Sequence, residues 1–215
     1  RSIVKANAYR YSSEEFQRWV MSESAEQQPP DNAGPLIPLT PVKTIVLVGL
    51  MGAGKTAIGK RLAASLGVRF ADADAAIIEA AGMGIPDIFE LYGEETFRDL
   101  ERRVILRMLE EEPFILALGG GAFINDETRA AIKRSCLSIW LKADLDTLVD
   151  RVNRKKGTRP LLASGNPRDI LENLMTTRYP IYAHADRVFE SNQAPPEKLV
   201  ERIRNSLIEE GMVNV

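Results

Sequence analysis

The stretch Thr44-Ile45-Val46-Leu47-Val48-Gly49-Leu50-Met51-Gly52-Ala53-Gly54-Lys55-Thr56-Ala57-Ile58-Gly59-Lys60 decides how the rest of the chain is read. Its first five residues are a short β-branched, apolar run, the composition of a strand buried on both faces. Gly49 to Thr56 fit the phosphate-binding pattern G-x-x-x-x-G-K-[ST]. From Ala57 onward, Ile58, Leu62, Ala63 and Leu66 recur at helical spacing and mark one apolar face. Strand, glycine loop and helix thus stand in the order that a polyphosphate cradle requires. Glycines let backbone N–H groups turn inward around phosphate oxygens, and the helix N-terminus adds a favourable dipole. Lys55 is placed to reach the β- and γ-phosphates, and the Thr56 hydroxyl to ligate Mg²⁺. The nucleotide-binding set is therefore Gly49, Met51, Gly52, Ala53, Gly54, Lys55, Thr56 and Ala57, and the implied ligand is a nucleoside triphosphate.

Working outward, 45% of the 215 residues are hydrophobic and 27% are charged, ordinary values for a globular protein. With the N-terminal segment set aside, about 170 residues remain, enough for one α/β domain with a sizeable core. The net charge of −2 creates no global field for nucleic acid or an acidic membrane. Cys136 is the only cysteine, so no intrachain disulfide can form; this fits a reducing, cytoplasmic compartment. No apolar run approaches the ~20 residues of a membrane span. The single histidine, His184, cannot build a histidine cluster and reads as an ordinary helix-end residue.

Residues 1–42 read as a disordered tail. Gln27 to Pro35 is proline-rich, polar and without periodicity. Met21 followed by Ser-Glu-Ser resembles a natural start, which would make residues 1–20 upstream or cloning-derived sequence; a transit peptide is the competing view, opposed by Glu14 and Glu15. Residues 43–215 form the domain. After the glycine loop, strands are expected at Val68–Ala71, Phe114–Leu118, Leu137–Leu141 and Arg187–Glu190. Helices are expected from Asp74, from Ile85, and again from Gly93, where Phe97, Leu100, Val104 and Met108 keep helical spacing. Further helices are expected at Thr128–Lys133, Asp144–Val152, Arg168–Tyr182 and Pro196–Glu209. Strands alternating with helices imply a parallel sheet covered on both faces, with its ligand beyond the strands' C-terminal ends.

Six motifs, in this order and with short gaps, make the chain resemble the shikimate kinase family. They are GLMGAGKT from Gly49, FADADAAI from Phe70, GEETFRDLE from Gly93, LGGGAF from Leu118, TRPLL from Thr158, and Arg178-Tyr179-Pro180-Ile181-Tyr182. The resemblance runs from about Thr44 to about residue 208. It implies a three-layer α/β sandwich of the P-loop type, like nucleoside monophosphate kinases, with a five-stranded parallel sheet and helices on both faces. It also implies an acceptor-binding region at about 74–107, a lid at about 154–166, and transfer of the γ-phosphate of ATP to the 3-hydroxyl of shikimate in the pathway to aromatic amino acids. Mg²⁺ would accompany ATP. The implied partners are ATP and shikimate, with no nucleic acid and no membrane, and the chain reads as a monomer.

By the same resemblance, Asp74 binds the acceptor hydroxyls and acts as base or orienter for the 3-hydroxyl. Asp72 holds the water shell of Mg²⁺ together with Thr56. An Asp after a strand is also a common helix N-cap, so both readings stay open for Asp72 and Asp74. The strand Phe114–Leu118 carries no carboxylate at its end, which strengthens the metal reading of Asp72. Arg98 sits in the first turns of its helix, an electrostatically poor place for a cation; its family role is to hold the shikimate carboxylate, with Arg178 as a second clamp. Gly119, Gly120 and Gly121 would let the acceptor ring lie against bare backbone, although a plain turn would use glycines too. Arg159 would swing over the γ-phosphate in the manner of an arginine finger. Arg151 resembles an adenine-stacking arginine, and Gln193 lies where the family contacts the adenine. Lys55, Asp74 and Arg159 form the catalytic set. Arg102, Arg103 and Arg107 read as solvated helix charges or partners of nearby glutamates. The alternatives are a related kinase with another acceptor, such as gluconate or a nucleotide, and a ligand-sensing module fused to a DNA-binding domain. The latter would need a helix-turn-helix region and degraded catalytic positions, whereas residues 1–42 are too proline-rich for one and Lys55, Asp74 and Arg159 are intact.

Overall fold

The computed structural model describes residues 39–154, 165–192 and 195–214. Seven strands are present among them: β1 (Thr40–Pro41), β2 (Thr44–Val48), β3 (Phe70–Asp72), β4 (Ile115–Ala117), β5 (Cys136–Lys142), β6 (Arg187–Glu190) and β7 (Val213–Asn214). The α-helices are α1 (Lys55–Leu66), α2 (Ala73–Ala81), α3 (Ile85–Met108), α4 (Asp126–Ser135), α5 (Leu145–Arg154), α6 (Pro167–Tyr182) and α7 (Pro196–Glu209). The expected five-stranded parallel sheet is there, in the order β3-β4-β2-β5-β6.

All five residues of β2 are buried, Thr44 with the apolar run Ile45–Val48, as befits the centre of a sheet covered on both faces. Ile45 stands opposite Ile115 on one side and Leu137 on the other. The connection after β2 leads to one edge of the sheet and the connection after β4 to the other half. Their divergence leaves a crevice at the C-terminal ends of these strands, where the glycine loop lies. At the far edge β6 is half solvated, with Val188 among the exposed apolar side chains.

Local chemistry moved several expected boundaries. The Val68 N–H bonds back to Ala63, so Val68 belongs to the exit turn of α1, and the second strand runs over Phe70–Asp72. Asp144, Asn125 and Asn166 cap α5, α4 and α6 by accepting from the N–H groups of Thr147, Thr128 and Arg168. The two helices expected on either side of Gly93 are present: α3 consists of two helical segments that meet at a kink, where the backbone of Gly93 itself is non-helical. Pro180 is accommodated within α6.

The expected tail boundary at residue 42 needs correction. β1 pairs antiparallel with β7, Thr40 opposite Asn214 and Pro41 opposite Val213, and the Val42 N–H donates to the carbonyl of Met212. Leu39 packs against the core. Residues 39–42 thus belong to the folded chain, and a two-residue ladder ties them to its other end. The remainder of the expected tail, 1–38, and the part of the expected lid at 155–164 lie outside the described residues. No helix among the described residues is long and apolar enough to cross a membrane.

Candidate active site

One cavity of about 740 Å³ opens at the C-terminal ends of β2, β3 and β4 and joins two differently charged ends. One end is the glycine loop: Met51, Gly52, Gly54, Lys55, Thr56 and Ala57 line it. Lys55 opens α1 and donates through Nζ to the carbonyls of Gly49 at 2.8 Å and Leu50 at 3.1 Å, so its ammonium lies over its own loop. The Ala53 side chain is buried beneath the loop, and its carbonyl is turned toward the buried Ser191.

That carbonyl and its neighbour are held by residues of other elements. Arg151, on α5, donates to the carbonyls of Gly52 at 3.3 Å and Asn192 at 2.7 Å and to the Ser191 hydroxyl at 3.1 Å. Ser191, just beyond β6 and only 3% exposed, donates to the Ala53 carbonyl at 2.8 Å. Burial lowers the pKa of Arg151, against the opposing pull of Asp144. Sequence reading picked Arg151 but not Ser191. A serine four residues before a pair of prolines carries no pattern that separates it from any loop serine.

Thr56 and Asp72 meet across the crevice, the threonine hydroxyl donating to Asp72 Oδ2 at 2.8 Å. Asp72 Oδ1 accepts from the Asp74 N–H at 3.1 Å and caps α2. The two readings of Asp72 were never exclusive, because a carboxylate has two oxygens: one serves the helix while the other faces Thr56. This hydroxyl and carboxylate are hard oxygen donors, the chemistry that suits Mg²⁺. Among the described residues no group of three or more His, Cys, Asp or Glu could hold a metal ion by itself. A site with few protein ligands fits an ion that keeps several waters and takes phosphate oxygens.

At the other end Asp74, in the first turn of α2, faces the loop after β4. The charged ends of neighbouring side chains lie against the bare backbone of Gly119–Gly121. A Cβ on Gly119 would lie 2.7 Å from Asp74 Oδ1 and 2.9 Å from Glu101 Oε1; one on Gly121 would collide with the Arg98 guanidinium. Arg178, on α6, donates to the Gly120 carbonyl at 2.9 Å, and the Tyr182 hydroxyl donates to the same oxygen. Burial pushes the Tyr182 hydroxyl up to about 12, so at neutral pH it is a donor. Arg98, Arg178, Asp74 and the three glycines, spread over four separate stretches of sequence, therefore converge on one side of the cavity.

Glu101, like Ser191, is a residue that sequence reading missed. It is 4% exposed and accepts from Arg98 NH1 at 2.8 Å through Oε2. Burial raises its pKa, the neighbouring Asp74 charge adds to the rise, and Arg98 and Arg178 oppose it. Burial also works against the charge on Arg98, but Glu101 and Glu94 outweigh it and raise the guanidinium pKa. A signal was present: Phe97, Glu101, Val104, Ile105 and Met108 form the buried stripe of α3, and a carboxylate on an apolar stripe needs a partner. Phe89 and Phe97, with ring centroids 4.6 Å apart, supply an apolar wall beside these charges. Arg102 and Arg103, by contrast, bond to Asp99, and Arg102 also to Glu127, on the outer face of α3. His184 lies in the turn after α6, its N–H on the Ile181 carbonyl. Arg159 and Gln193 lie outside the described residues.

The profile of the family described as "Shikimate kinase" matches residues 51–208. A shikimate kinase of Mesorhizobium japonicum is 50% identical over 165 residues, 77% of this chain and 81% of that protein. One of Paramagnetospirillum magneticum is 51% identical over 166 residues, 77% of this chain and 85% of that protein. Among solved structures, the shikimate kinase of Acinetobacter baumannii in complex with shikimate superposes with a TM-score of 0.75 at 36% identity, covering 78% of this chain and 94% of that one.

Proposed function

The chain belongs to the shikimate kinase family, ATP-dependent kinases, and from that membership we propose which of its residues carry the transfer of the γ-phosphate of ATP to the 3-hydroxyl of shikimate. The observation that carries the proposal is the shape of the charge in one cavity. A phosphate loop stands at one end, and at the other two arginines flank a carboxylate over bare glycine backbone. A carboxylated polyol matches the second end and a polyphosphate the first.

In this reading the backbone N–H groups of Gly52 to Thr56 and the N-terminus of α1 hold the phosphates. Lys55 exchanges its two carbonyl partners for the β- and γ-phosphate oxygens, and stabilises the charge that builds on them during transfer. Thr56 and Asp72 would hold Mg²⁺, which when bound neutralises charge on the β- and γ-phosphates. Arg98 and Arg178 grip the shikimate carboxylate, and Glu101 holds Arg98 in place from behind. Asp74 accepts a hydrogen bond from the 3-hydroxyl and aims that oxygen along the line of attack. Arg151, with Ser191 and Asn192, fixes the outer side of the phosphate loop and forms the adenine end, where Gln193 is also assigned. Arg159 is assigned to the transferring phosphate. The single cysteine agrees with a cytoplasmic enzyme, and the chain is taken as a monomer.

ADP release in a coupled assay tests the proposal, run with shikimate, gluconate and nucleoside monophosphates in turn. Only shikimate is expected to support turnover; comparable rates with gluconate or a nucleotide would overturn the acceptor assignment.

A further inference from the structure

Arg98 is held by two carboxylates of opposite character. Glu101 has a side chain only 5% exposed and takes the NH1 donor. Glu94 is 66% exposed, stands one turn earlier on α3, and directly follows the break at Gly93. Its Oε1 alone accepts from both Arg98 Nε at 3.3 Å and NH2 at 3.1 Å. Nε and NH2 form one of the flat donor edges on which a guanidinium receives a carboxylate with two parallel bonds. Glu94 thus sits on that edge but uses a single oxygen for both donors, a weaker arrangement than the two-oxygen fork. Both Glu94 and Arg98 line the cavity.

We propose that Glu94 is a placeholder carboxylate, occupying the edge of Arg98 that the acceptor's carboxylate takes, so that acceptor binding exchanges one carboxylate for another. The proposal rests on the assignment of Arg98 as the carboxylate clamp. Three physical features support it. Glu101 fixes the guanidinium from the buried side whether or not Glu94 is engaged, so Glu94 is not needed to orient it. An exposed ion pair contributes little to stability, so Glu94 is easily released to water. A half-buried guanidinium with an open donor edge would collect any small anion, and a tethered carboxylate excludes simple anions while yielding to a ligand with further contacts. Glu94 therefore lowers affinity for the acceptor and raises selectivity against anions that offer only charge.

Calorimetric titration of shikimate, and separately of inorganic phosphate, into the wild type and Glu94→Gln tests this. The variant is expected to bind shikimate roughly threefold to tenfold more tightly, from loss of the competing pair and of repulsion between carboxylates. Phosphate is expected to bind more tightly as well, and both gains should shrink at high salt. Unchanged or weaker shikimate binding by Glu94→Gln, with an unchanged melting temperature, would overturn the placeholder role. Shikimate binding by Arg98→Ala equal to that of the wild type would instead overturn the clamp on which the proposal stands, a separate failure.

Discussion

Glu101 is a carboxylate enclosed beside the end of the cavity proposed to receive another carboxylate. Its pKa is raised chiefly by burial, so the folded chain holds its proton more tightly than the unfolded chain does. The contribution of this group to stability is thus fully present below the ordinary carboxylate value of about 4.3 and is lost as pH rises through the raised folded value. Glu101→Gln removes that dependence. Its melting temperature relative to wild type is expected to climb as pH rises through this window, while its KM for shikimate increases because Arg98 loses its buried anchor. A pH series of thermal melts checks the first point, and a parallel trend in the two proteins would contradict it. Lys55 behaves differently, since its carbonyl partners lie on its own loop. Lys55→Ala is expected to lower kcat on the order of 10²–10³-fold, with little change in melting temperature. Near wild-type turnover would remove Lys55 from the transfer. Lys55 was legible in the sequence because its motif is local. Glu101 was not singled out although Arg98 stands one turn earlier on the same helix; Asp74 and Arg178 come from two other elements, and only the fold brings them beside it.

At the scale of elements, α3 turns on one residue. Gly93 has φ 80° and ψ 172°, a conformation open essentially to glycine alone. The break separates the turn bearing Phe89 from the turns bearing Phe97, Arg98 and Glu101, and lets both face the cavity. A Cβ at Gly93 would touch nothing within 4 Å, so any effect of Gly93→Ala is backbone strain and not collision. That substitution is expected to cost about 1–3 kcal/mol and to raise KM for shikimate more than KM for ATP. An unchanged melting temperature would contradict the strained geometry. The sequence showed a glycine between two helical patterns, and the two segments of α3 that meet at Gly93 bear that reading out. How closely the second segment follows the first is a matter of dihedral angles that residue types do not record. β2 was legible for the opposite reason, since a threonine followed by four apolar residues has few places to go except the middle of a sheet.

Across the whole molecule, sheet order places the function. β2 and β4 are neighbours whose following connections diverge, so the phosphate loop and the Gly119–Gly121 loop open on one crevice. Alternating strands and helices made this architecture readable in advance. The β1–β7 ladder was not, because it joins two-residue strands from opposite ends of the chain and neither has a pattern of its own. The division of the cavity into a nucleotide end and an acceptor end is the central claim, and Arg98→Ala tests it most directly. Titrating shikimate and ADP separately into this variant and the wild type measures the two ends independently. Shikimate affinity is expected to fall by an amount corresponding to about 2–5 kcal/mol, the range for losing one partner of a desolvated charge pair, while ADP affinity stays as in the wild type. Equal loss of both affinities, or retention of shikimate binding, would contradict the account.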